Sequence, residues 1–389
     1  MQRRAHILDW LIAAAALVLS ACASTAPTGP IRPPETIKFQ RGLQGHIILP
    51  VTVEGVEGYA VLDNGASTSV VDRKFAEEQS LSHGAIARML IKTLRGGFEF
   101  GQGANLSVGG VSEHVTPLVL DIGLLSQAAG VKLIGIVGEE FFERHVVAID
   151  FTRNELTLYD PRAFSPPEDV PALSLRSKFT AKTRLPATIE GRPDYEITFD
   201  LGASGFAMID EGEMADRMMA DGRPWIPRSS GIVRKGEFMR HDGRTITARE
   251  IGFAGFELKD IPTDVAAKGF VAPSDVSLGV NALSRFDIIF DIGNKRMWMR
   301  PNATYAQPFP HRVVGVDFKI GSAVGAVEVL GVAVNSPAEK AGLKKGDVIA
   351  RIDGRLAMPD GLARVKEGDK VELELKDGSK VRIEAARFY

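Results

Sequence analysis

The chain has 389 residues, of which 44% are hydrophobic, and its 47 basic and 49 acidic side chains nearly cancel. That length gives room for two or three domains of ordinary size, each with a hydrophobic core. Charges of both signs are mixed along the chain and form no basic footprint, so we expect no nucleic-acid partner. The seven histidines are scattered without the spacing of paired ligands, so we expect no metal site and no cofactor.

The first 22 residues have the pattern of a bacterial export signal, with two arginines before an apolar stretch at 11–19 that is too short to span a bilayer. They end in Leu-Ser-Ala-Cys, which resembles the lipobox of bacterial lipoproteins, in which the cysteine is lipidated. Cys22 is the only cysteine in the chain, so no intrachain disulfide can form. The segment 23–39, rich in Ala, Ser, Thr and Pro, predicts a flexible tether.

The lipobox resemblance implies that Cys22 anchors the protein to a membrane in the bacterial periplasm. Ala23, directly after this cysteine, resembles the signal for sorting to the outer membrane rather than for retention in the inner one. We therefore expect a lipid-anchored periplasmic protein, at the outer membrane in preference to the inner membrane.

Two short segments carry an aspartate at the end of an apolar run, followed by the same x-Gly-Ala sequence. Their residues are Asp63, Asn64, Gly65 and Ala66 in the first and Asp200, Leu201, Gly202 and Ala203 in the second. An apolar run that ends in a carboxylate and a glycine predicts a buried strand that enters a tight turn. One copy alone would fit an ordinary structural turn.

The surroundings of the two segments repeat as well. Leu49–Gly55 matches Leu185–Gly191, and the later segments 136–138 and 277–279 match at nearly the same spacing. The offset between matched positions drifts only from 136 to 141 residues along the repeat. This pattern predicts two copies of one supersecondary unit.

With these repeated motifs the chain resembles a bilobed aspartic peptidase of the retropepsin and pepsin kind, in its bacterial single-chain form. In that family each lobe supplies one aspartate from an Asp-Thr/Ser-Gly turn, and an apolar-apolar-Gly strand crosses behind it. The resemblance implies a mainly β, double-barrel fold with lobes at 40–165 and 175–305. It implies that Asp63 and Asp200 are the catalytic residues and, because one chain completes the site, that the protein is a monomer.

Such a pair works without metal, cofactor or covalent intermediate. Two carboxylates about 3 Å apart cannot both ionise, so they share one proton, as the aspartic proteases do. The ionised carboxylate takes a proton from water, which attacks the peptide carbonyl, while the protonated one hydrogen-bonds the carbonyl oxygen. The resemblance therefore implies an endopeptidase whose substrates are proteins or peptides.

The chain departs from the family pattern at two kinds of position. Asn64 and Leu201 stand where the family has Thr or Ser, whose hydroxyls link the two loops; Asn64 can still hydrogen-bond, but Leu201 cannot. Ala66 and Ala203 stand where pepsin-like enzymes often carry a hydroxyl that donates to the aspartate. Loss of a donor to a carboxylate raises its pKa, so we expect an activity optimum nearer neutral than that of pepsin.

Two further features of the repeats have structural interpretations. The glycine-rich segment Leu94–Gly101 predicts a hairpin, which is either a flap over substrate or a plain surface hairpin. Asp150 and Asp291 also repeat, but each follows an apolar run, and we interpret them as turn residues at strand ends.

The C-terminal residues 312–389 have a different pattern. Ser-Pro at 336–337 predicts the start of a short helix that Gly342 ends, before a strand at 348–352. This segment resembles a bacterial PDZ domain, a small α+β module. PDZ domains add a peptide strand to a sheet edge and bind its terminal carboxylate, so the resemblance implies a C-terminal peptide ligand. The candidate residues of the carboxylate loop are Phe318, Ile320 and Gly321.

Three functions fit these features. The leading hypothesis is a lipid-anchored periplasmic aspartic endopeptidase whose PDZ domain recognises substrate or partner. Asn64 and Leu201 favour an alternative, a catalytically impaired, peptide-binding or regulatory envelope lipoprotein. A third hypothesis is a scaffold that acts through the PDZ domain in an envelope complex. Peptide cleavage distinguishes the endopeptidase from the other two hypotheses. Binding of free C-terminal peptides distinguishes the peptide-binding lipoprotein from the scaffold.

Overall fold

The computed structural model describes residues 30–82, 93–95, 98–101, 103–178, 181–234, 237–268, 271, 275–320, 326–357, 361–362 and 365–388. The predicted export signal with Cys22, the first part of the tether and Gly321 lie outside these residues. Among the helices that the structure describes, none is long and apolar enough to cross a membrane.

The described chain is mainly β, with barrel-like sheets, as the sequence predicted. The strands are β1 Glu35–Lys38, β2 Gln40–Arg41, β3 Ile47–Val53, β4 Val56–Leu62, β5 Val70–Asp72, β6 Thr93–Arg95, β7 Phe98–Phe100, β8 Ala104–Val108, β9 Val111–Val115, β10 Leu118–Leu120, β11 Leu133–Val137, β12 Val146–Asp150, β13 Glu155–Tyr159, β14 Leu173–Ser174, β15 Arg176–Lys178, β16 Ala181–Ile189, β17 Arg192–Asp200, β18 Ala207–Asp210, β19 Ile226–Arg234, β20 Glu237–Phe253, β21 Phe256–Ala266, β22 Val276–Gly279, β23 Phe286–Asp291, β24 Arg296–Pro301, β25 Val316–Ile320, β26 Val327–Val332, β27 Val348–Ile352, β28 Arg355–Leu356, β29 Lys370–Leu375 and β30 Lys380–Glu384.

The helices that the structure describes are short. They are α1 Arg73–Ser82, α2 Gly123–Ala129, α3 Glu139–Arg144, α4 Glu213–Met219, α5 Val280–Leu283 and α6 Pro337–Lys340. A 3-10 turn, Ile292–Asn294, lies between β23 and β24.

The chain forms two compact units. The first contains residues 30–40, Ile47–Ala172 and Asp287–Arg300, and the second contains Arg41–His46, Leu173–Phe286 and residues 301–388. Asp287–Arg300, which the repeat placed with the second copy, therefore belongs to the first unit. The reason is strand pairing: β23 is antiparallel to β12, with Val147 opposite Phe290.

The first unit contains two sheets. One has the order β6-β7-β10-β5-β11-β4-β3-β8-β9, and the other includes β1-β13-β12-β23-β24. The predicted hairpin is present as β6 and β7, which pair antiparallel with Arg95 opposite Phe98. Asp150 is the last residue of β12 and Asp291 the last of β23, and each accepts a local hydrogen bond, as expected of turn residues.

The second unit contains a sheet of order β15-β16-β17-β22-β18-β21-β20-β19. β16 also pairs with β20, with Ala187 opposite Phe253. Six strands of this sheet, in the spatial order β16-β17-β22-β18-β21-β20, therefore close into a barrel. Closure removes the exposed edges of those strands. Phe199 and Phe253 pack edge to face within this unit, 5.5 Å between ring centroids.

The two units repeat one pairing pattern around the strand that was predicted to lie behind each aspartate. β11 is parallel to β4 and antiparallel to β5, which is parallel to β10. β22 is parallel to β17 and antiparallel to β18, which is parallel to β21. The sequence repeat therefore corresponds to a structural repeat.

The C-terminal part of the second unit forms a separate sheet, β25-β26-β27-β29-β30, with β28 beside β27. Its core contains the buried side chains of Val327, Ile349 and Leu373. The predicted helix start is confirmed: the Ser336 hydroxyl accepts a hydrogen bond from the Glu339 N–H at 3.1 Å, at the start of α6.

Candidate functional site

The Asp63 turn follows directly on buried strand β4. The N–H of Asp63 donates to the carbonyl of Val137 at 2.9 Å, so the neighbouring strand β11 holds the start of the turn. Oδ1 of Asp63 accepts the N–H groups of Gly65 at 2.8 Å and Ala66 at 3.1 Å. These two bonds form the turn that aspartate favours and fix the direction of the carboxylate.

The Asp200 turn has the same hydrogen bonds. Asp200 ends β17 and lies opposite Gly279 of the parallel strand β22. Its Oδ1 accepts the N–H of Gly202 at 2.9 Å and the N–H of Ala203 at 3.1 Å. In both copies one carboxylate oxygen is thus held by two backbone donors, and every one of these bonds lies within a single unit.

Glycine is required directly behind each turn. A Cβ on Gly138 would lie 2.6 Å from the amide nitrogen of Ser69, and one on Gly279 would lie 2.7 Å from the carbonyl oxygen of Ala203. Real Cβ atoms do not approach backbone atoms so closely. The matched segments 136–138 and 277–279 that the sequence singled out therefore pass in contact with the turns.

A second backbone bond joins each turn to the residue after that glycine. The N–H of Glu139 donates to the Ala66 carbonyl at 2.7 Å, and the N–H of Val280 donates to the Ala203 carbonyl at 2.8 Å. Ala66 and Ala203 are both half-buried. Their positions, like the hydrogen bonds, are equivalent in the two copies.

The two departures from the family pattern are buried. Asn64 is 3% exposed and Leu201 is 0% exposed. Gly65 is exposed and Gly202 is half-buried. An amide in the first copy thus takes the place of an aliphatic side chain in the second, although both occupy protected positions beside the aspartate.

Sequence reasoning missed two side chains that brace the turns, Glu140 and Asn281. Each is the second residue of the helix after the glycine, and the two positions match at the offset of the repeat. Glu140 Oε1 accepts the Ser69 N–H at 2.6 Å, and Asn281 Nδ2 donates to the Ser204 carbonyl. The sequence repeat contained a signal for them, because Glu140 and Asn281 occupy matched positions two residues after the glycines and are both polar.

Burial raises the pKa of Glu140, and the hydrogen bonds from Ser69 lower it by less. Its second oxygen, Oε2, is buried and accepts no hydrogen bond from the described residues. The carboxylate of Glu140 is therefore costly to ionise, whereas Asn281 braces its turn through a neutral amide that donates to a carbonyl.

Two matched arginines, Arg144 at the end of α3 and Arg285 just after α5, contact different groups. Arg144 forms an ion pair with Glu113 at 2.9 Å. Arg285 is buried, and its guanidinium lies 3.6 Å from the centre of the Phe309 ring. It donates to four backbone carbonyls, those of Thr304, Tyr305, Gln307 and Pro308. Arg285 thus fixes the segment that leads to the C-terminal sheet.

The residues predicted for a carboxylate loop lie elsewhere in the local structure. Phe318 and Ile320 belong to strand β25, which pairs with β26, and not to a loop. Phe318 packs against the core of the C-terminal sheet. β25 is the terminal strand of that sheet, and β19 of the same unit lies next to β25 and β26.

No group of three or more His, Cys, Asp or Glu side chains among the described residues could hold a metal ion. No protein-family model matches the sequence, and no curated protein matches it either.

Proposed function

We propose that the protein is an aspartic endopeptidase in which Asp63 and Asp200 act together on a peptide bond. The observation that carries this proposal is the duplicated turn, in which each Asp Oδ1 accepts two backbone N–H groups within 0.1 Å of the same lengths. A structural turn has no need to occur twice with the same glycine strand behind it. The bilobed aspartic-peptidase fold, with one aspartate from each copy, accounts for the duplication.

In the proposed reaction one carboxylate is ionised and removes a proton from a water molecule as that water attacks the peptide carbonyl. The other carboxyl group is protonated, hydrogen-bonds the carbonyl oxygen and later returns a proton to the leaving amine. The two backbone N–H donors at each aspartate hold one oxygen of its carboxylate in place. This pre-organisation removes the cost of orienting the carboxylates during the reaction.

The test is cleavage of an unfolded protein substrate between pH 3 and pH 8 by the wild type, Asp63→Asn and Asp200→Asn. We expect each substitution to lower the rate by at least about 10²–10⁴-fold, the contribution of general acid–base catalysis. Asp150→Asn is the matched control, because Asp150 also accepts a backbone N–H at 2.8 Å but ends a strand in an ordinary turn. Cleavage that survives in either variant would contradict the proposal.

The pH profile gives a second test. Ala66 and Ala203 offer no hydroxyl to the aspartates, so we expect an optimum nearer neutral than that of pepsin. Ala66→Ser and Ala203→Ser should move the acid limb of the profile to lower pH. A wild-type optimum below about pH 4, near the reference pKa of aspartate, would contradict this expectation.

Leu201 favours a second candidate function, a peptide-binding or regulatory lipoprotein with impaired catalysis. It is 0% exposed, and its aliphatic side chain stands where the family has a hydroxyl that can donate. This candidate predicts that the wild type binds unfolded peptides but does not cleave them at any pH in the same assay.

For the C-terminal sheet we propose a PDZ domain that binds C-terminal peptides as an added strand at β25. Its support is the Ser336-capped helix α6 and the terminal position of β25 in the sheet. A fluorescent peptide with a free C-terminal carboxylate should bind the full-length chain, and its amidated counterpart should not. Equal binding of the two peptides would contradict carboxylate recognition.

We also propose that the protein is a lipoprotein of the bacterial periplasm, anchored through Cys22. The support is the lipobox-like sequence that ends at the only cysteine of the chain. Metabolic labelling with a palmitate analogue should modify the wild type and not Cys22→Ser. Labelling of both proteins, or of neither, would contradict the anchor.

A further inference from the structure

A short segment ahead of β3, Arg41–His46, belongs to the second unit and contacts the Asp200 turn. Nε2 of His46 lies 3.1 Å from the carbonyl oxygen of Gly202, the glycine of the second motif. His46 is 3% exposed, so this contact is protected from water. The sequence showed only an isolated histidine there, with nothing to connect it to the motif.

The contact places a proton on Nε2 of the His46 ring. A carbonyl oxygen only accepts hydrogen bonds, so Nε2 must carry the proton and donate. Nδ1 is buried and makes no hydrogen bond with the described residues. Burial lowers the pKa of His46; the hydrogen bond to Gly202 raises it by less, and the nearby charge of Arg41 lowers it further. The ring is therefore neutral at pH 7, with its proton on Nε2.

The carbonyl that His46 contacts belongs to the same peptide group as the N–H of Ala203. That N–H donates to Oδ1 of Asp200 at 3.1 Å. A chain of two hydrogen bonds thus runs from the His46 ring through one peptide group to the carboxylate of Asp200. Hydrogen bonds in such a chain polarise and strengthen one another.

Asn281 holds the same segment against the same turn. Its Nδ2 donates to the carbonyls of Gln44, at 3.0 Å, and Ser204. Its Oδ1 accepts from the guanidinium of Arg41 at 3.2 Å. Burial lowers the pKa of Arg41 to about 10, so Arg41 stays charged at neutral pH. The segment is thus fastened at both of its ends, by Arg41 and by His46.

We propose that His46 is a positioning residue for Asp200: its Nε2–H holds the Gly202–Ala203 peptide group so that the Ala203 N–H keeps the carboxylate in its reactive orientation. The expected change in kcat rests on the proposed peptidase function, whereas the expected NMR signals and amide hydrogen exchange do not. The first copy provides a contrast, because no side-chain donor to the matching Gly65 carbonyl is found among the described residues.

The experiment compares wild type, His46→Leu and His46→Gln as full-length chains. Leucine fills a similar buried volume but cannot donate, whereas the glutamine amide can donate to Gly202 without titrating. We expect His46→Leu to lower kcat by about three- to tenfold, the effect of one neutral hydrogen bond, with KM changed less than about twofold. Glutamine should restore most of kcat. His114→Leu, at an exposed position of the first unit, is the control.

Two readouts do not depend on cleavage. NMR of selectively ¹⁵N-labelled histidine, with the His46 signals assigned by their loss in His46→Gln, should show a neutral ring with the proton on Nε2 at pH 7. Amide hydrogen exchange over residues 200–206 should be faster in His46→Leu than in wild type and close to wild type in His46→Gln.

These readouts separate the failure of this inference from failure of the proposed function. A proton on Nδ1, a charged ring at pH 7, or unchanged hydrogen exchange in His46→Leu would overturn the positioning role, whether or not the protein cleaves peptides. An active wild type whose kcat is unaffected by leucine would overturn it too. A wild type that cleaves nothing would overturn the peptidase function, and hydrogen exchange would still decide whether His46 holds the turn.

Discussion

The two copies of the aspartate turn have the same backbone and different braces. Oδ1 of Asp63 and of Asp200 each accept two N–H groups at nearly the same distances. The matched side chains that brace them, Glu140 and Asn281, differ in charge and in the direction of their hydrogen bonds. The turn therefore depends on backbone geometry, whereas the side chains that support it can change from one copy to the other.

The matched arginines that come after these braces, Arg144 and Arg285, also contact different parts of the chain. In the first copy Arg144, the last residue of helix α3, pairs with the carboxylate of Glu113 in strand β9. In the second copy Arg285 holds the backbone of the segment that leads to the C-terminal sheet. Phe309 of that segment packs on Phe206, 5.2 Å between ring centroids, just after the Asp200 turn. The second copy is thus tied to the C-terminal sheet by buried contacts.

The largest effect should come from the aspartates themselves, and it should be symmetric. If the two turns are equivalent in function, Asp63→Asn and Asp200→Asn should reduce the cleavage rate to within about tenfold of each other. Either loss should fall in the range of about 10²–10⁴-fold. Initial rates on one unfolded substrate measure both. A much smaller loss in one variant would break the equivalence of the two copies.

The next effect concerns the glycines behind the turns. Gly138→Ala and Gly279→Ala should each destabilise the fold by about 3 kcal/mol or more, because the new Cβ would press on backbone atoms that cannot move away. Urea unfolding measures both. Gly110→Ala is the control, since a Cβ there meets the Glu35 side chain at an ordinary 3.6 Å. Equal stability of the test and control variants would show that the turns can shift.

Substitution of the two matched arginines should destabilise the protein by different amounts in the two copies. Arg285→Met leaves four carbonyls without their donor and should cost about 3 kcal/mol. Arg144→Met removes an ion pair whose arginine is 37% exposed and should cost about 1 kcal/mol or less. Thermal unfolding of the two variants measures the difference. A larger loss of stability in Arg144→Met than in Arg285→Met would contradict our interpretation of the two arginines.

The smallest effect is a pH dependence of stability at Glu140. Because burial raises its pKa in the fold, the folded state holds its proton more tightly than the unfolded one. Stability is therefore lost as the pH rises from the unfolded pKa, about 4.5, through the raised folded pKa. Glu140→Gln removes this loss and keeps an oxygen for the Ser69 N–H, so its melting temperature should exceed that of wild type more at pH 7.5 than at pH 4.

Glu113 provides a control of opposite sign. Burial alone would raise its pKa, but hydrogen bonds from His145 and Arg144 outweigh burial and lower it. Its contribution to stability is present above the unfolded pKa and lost as the pH falls through the lowered folded pKa. Glu113→Gln should therefore lose more stability at pH 7.5 than at pH 4. The same sign of change in both variants would contradict the assignment for Glu140.

Local patterns in the sequence determined the elements that local forces hold. The apolar runs before Asp63 and Asp200 are strands, and the Ser-Pro pair at 336–337 begins a helix. The hairpin near Leu94 is also present. Each of these depends on neighbours a few residues away, on burial of alternate side chains, on capping or on glycine in a turn.

Only the tertiary structure decided which distant groups brace the turns. Ser69 and Glu140 are 71 positions apart, and His46 and Gly202 are 156 apart. Most of strand β23 lies within the second copy in the sequence but belongs to the first unit, because it pairs with β12. Such contacts depend on how sheets pack and pair, which a local pattern does not encode. A lone buried histidine therefore carries no signal in the sequence until the fold places it against a carbonyl.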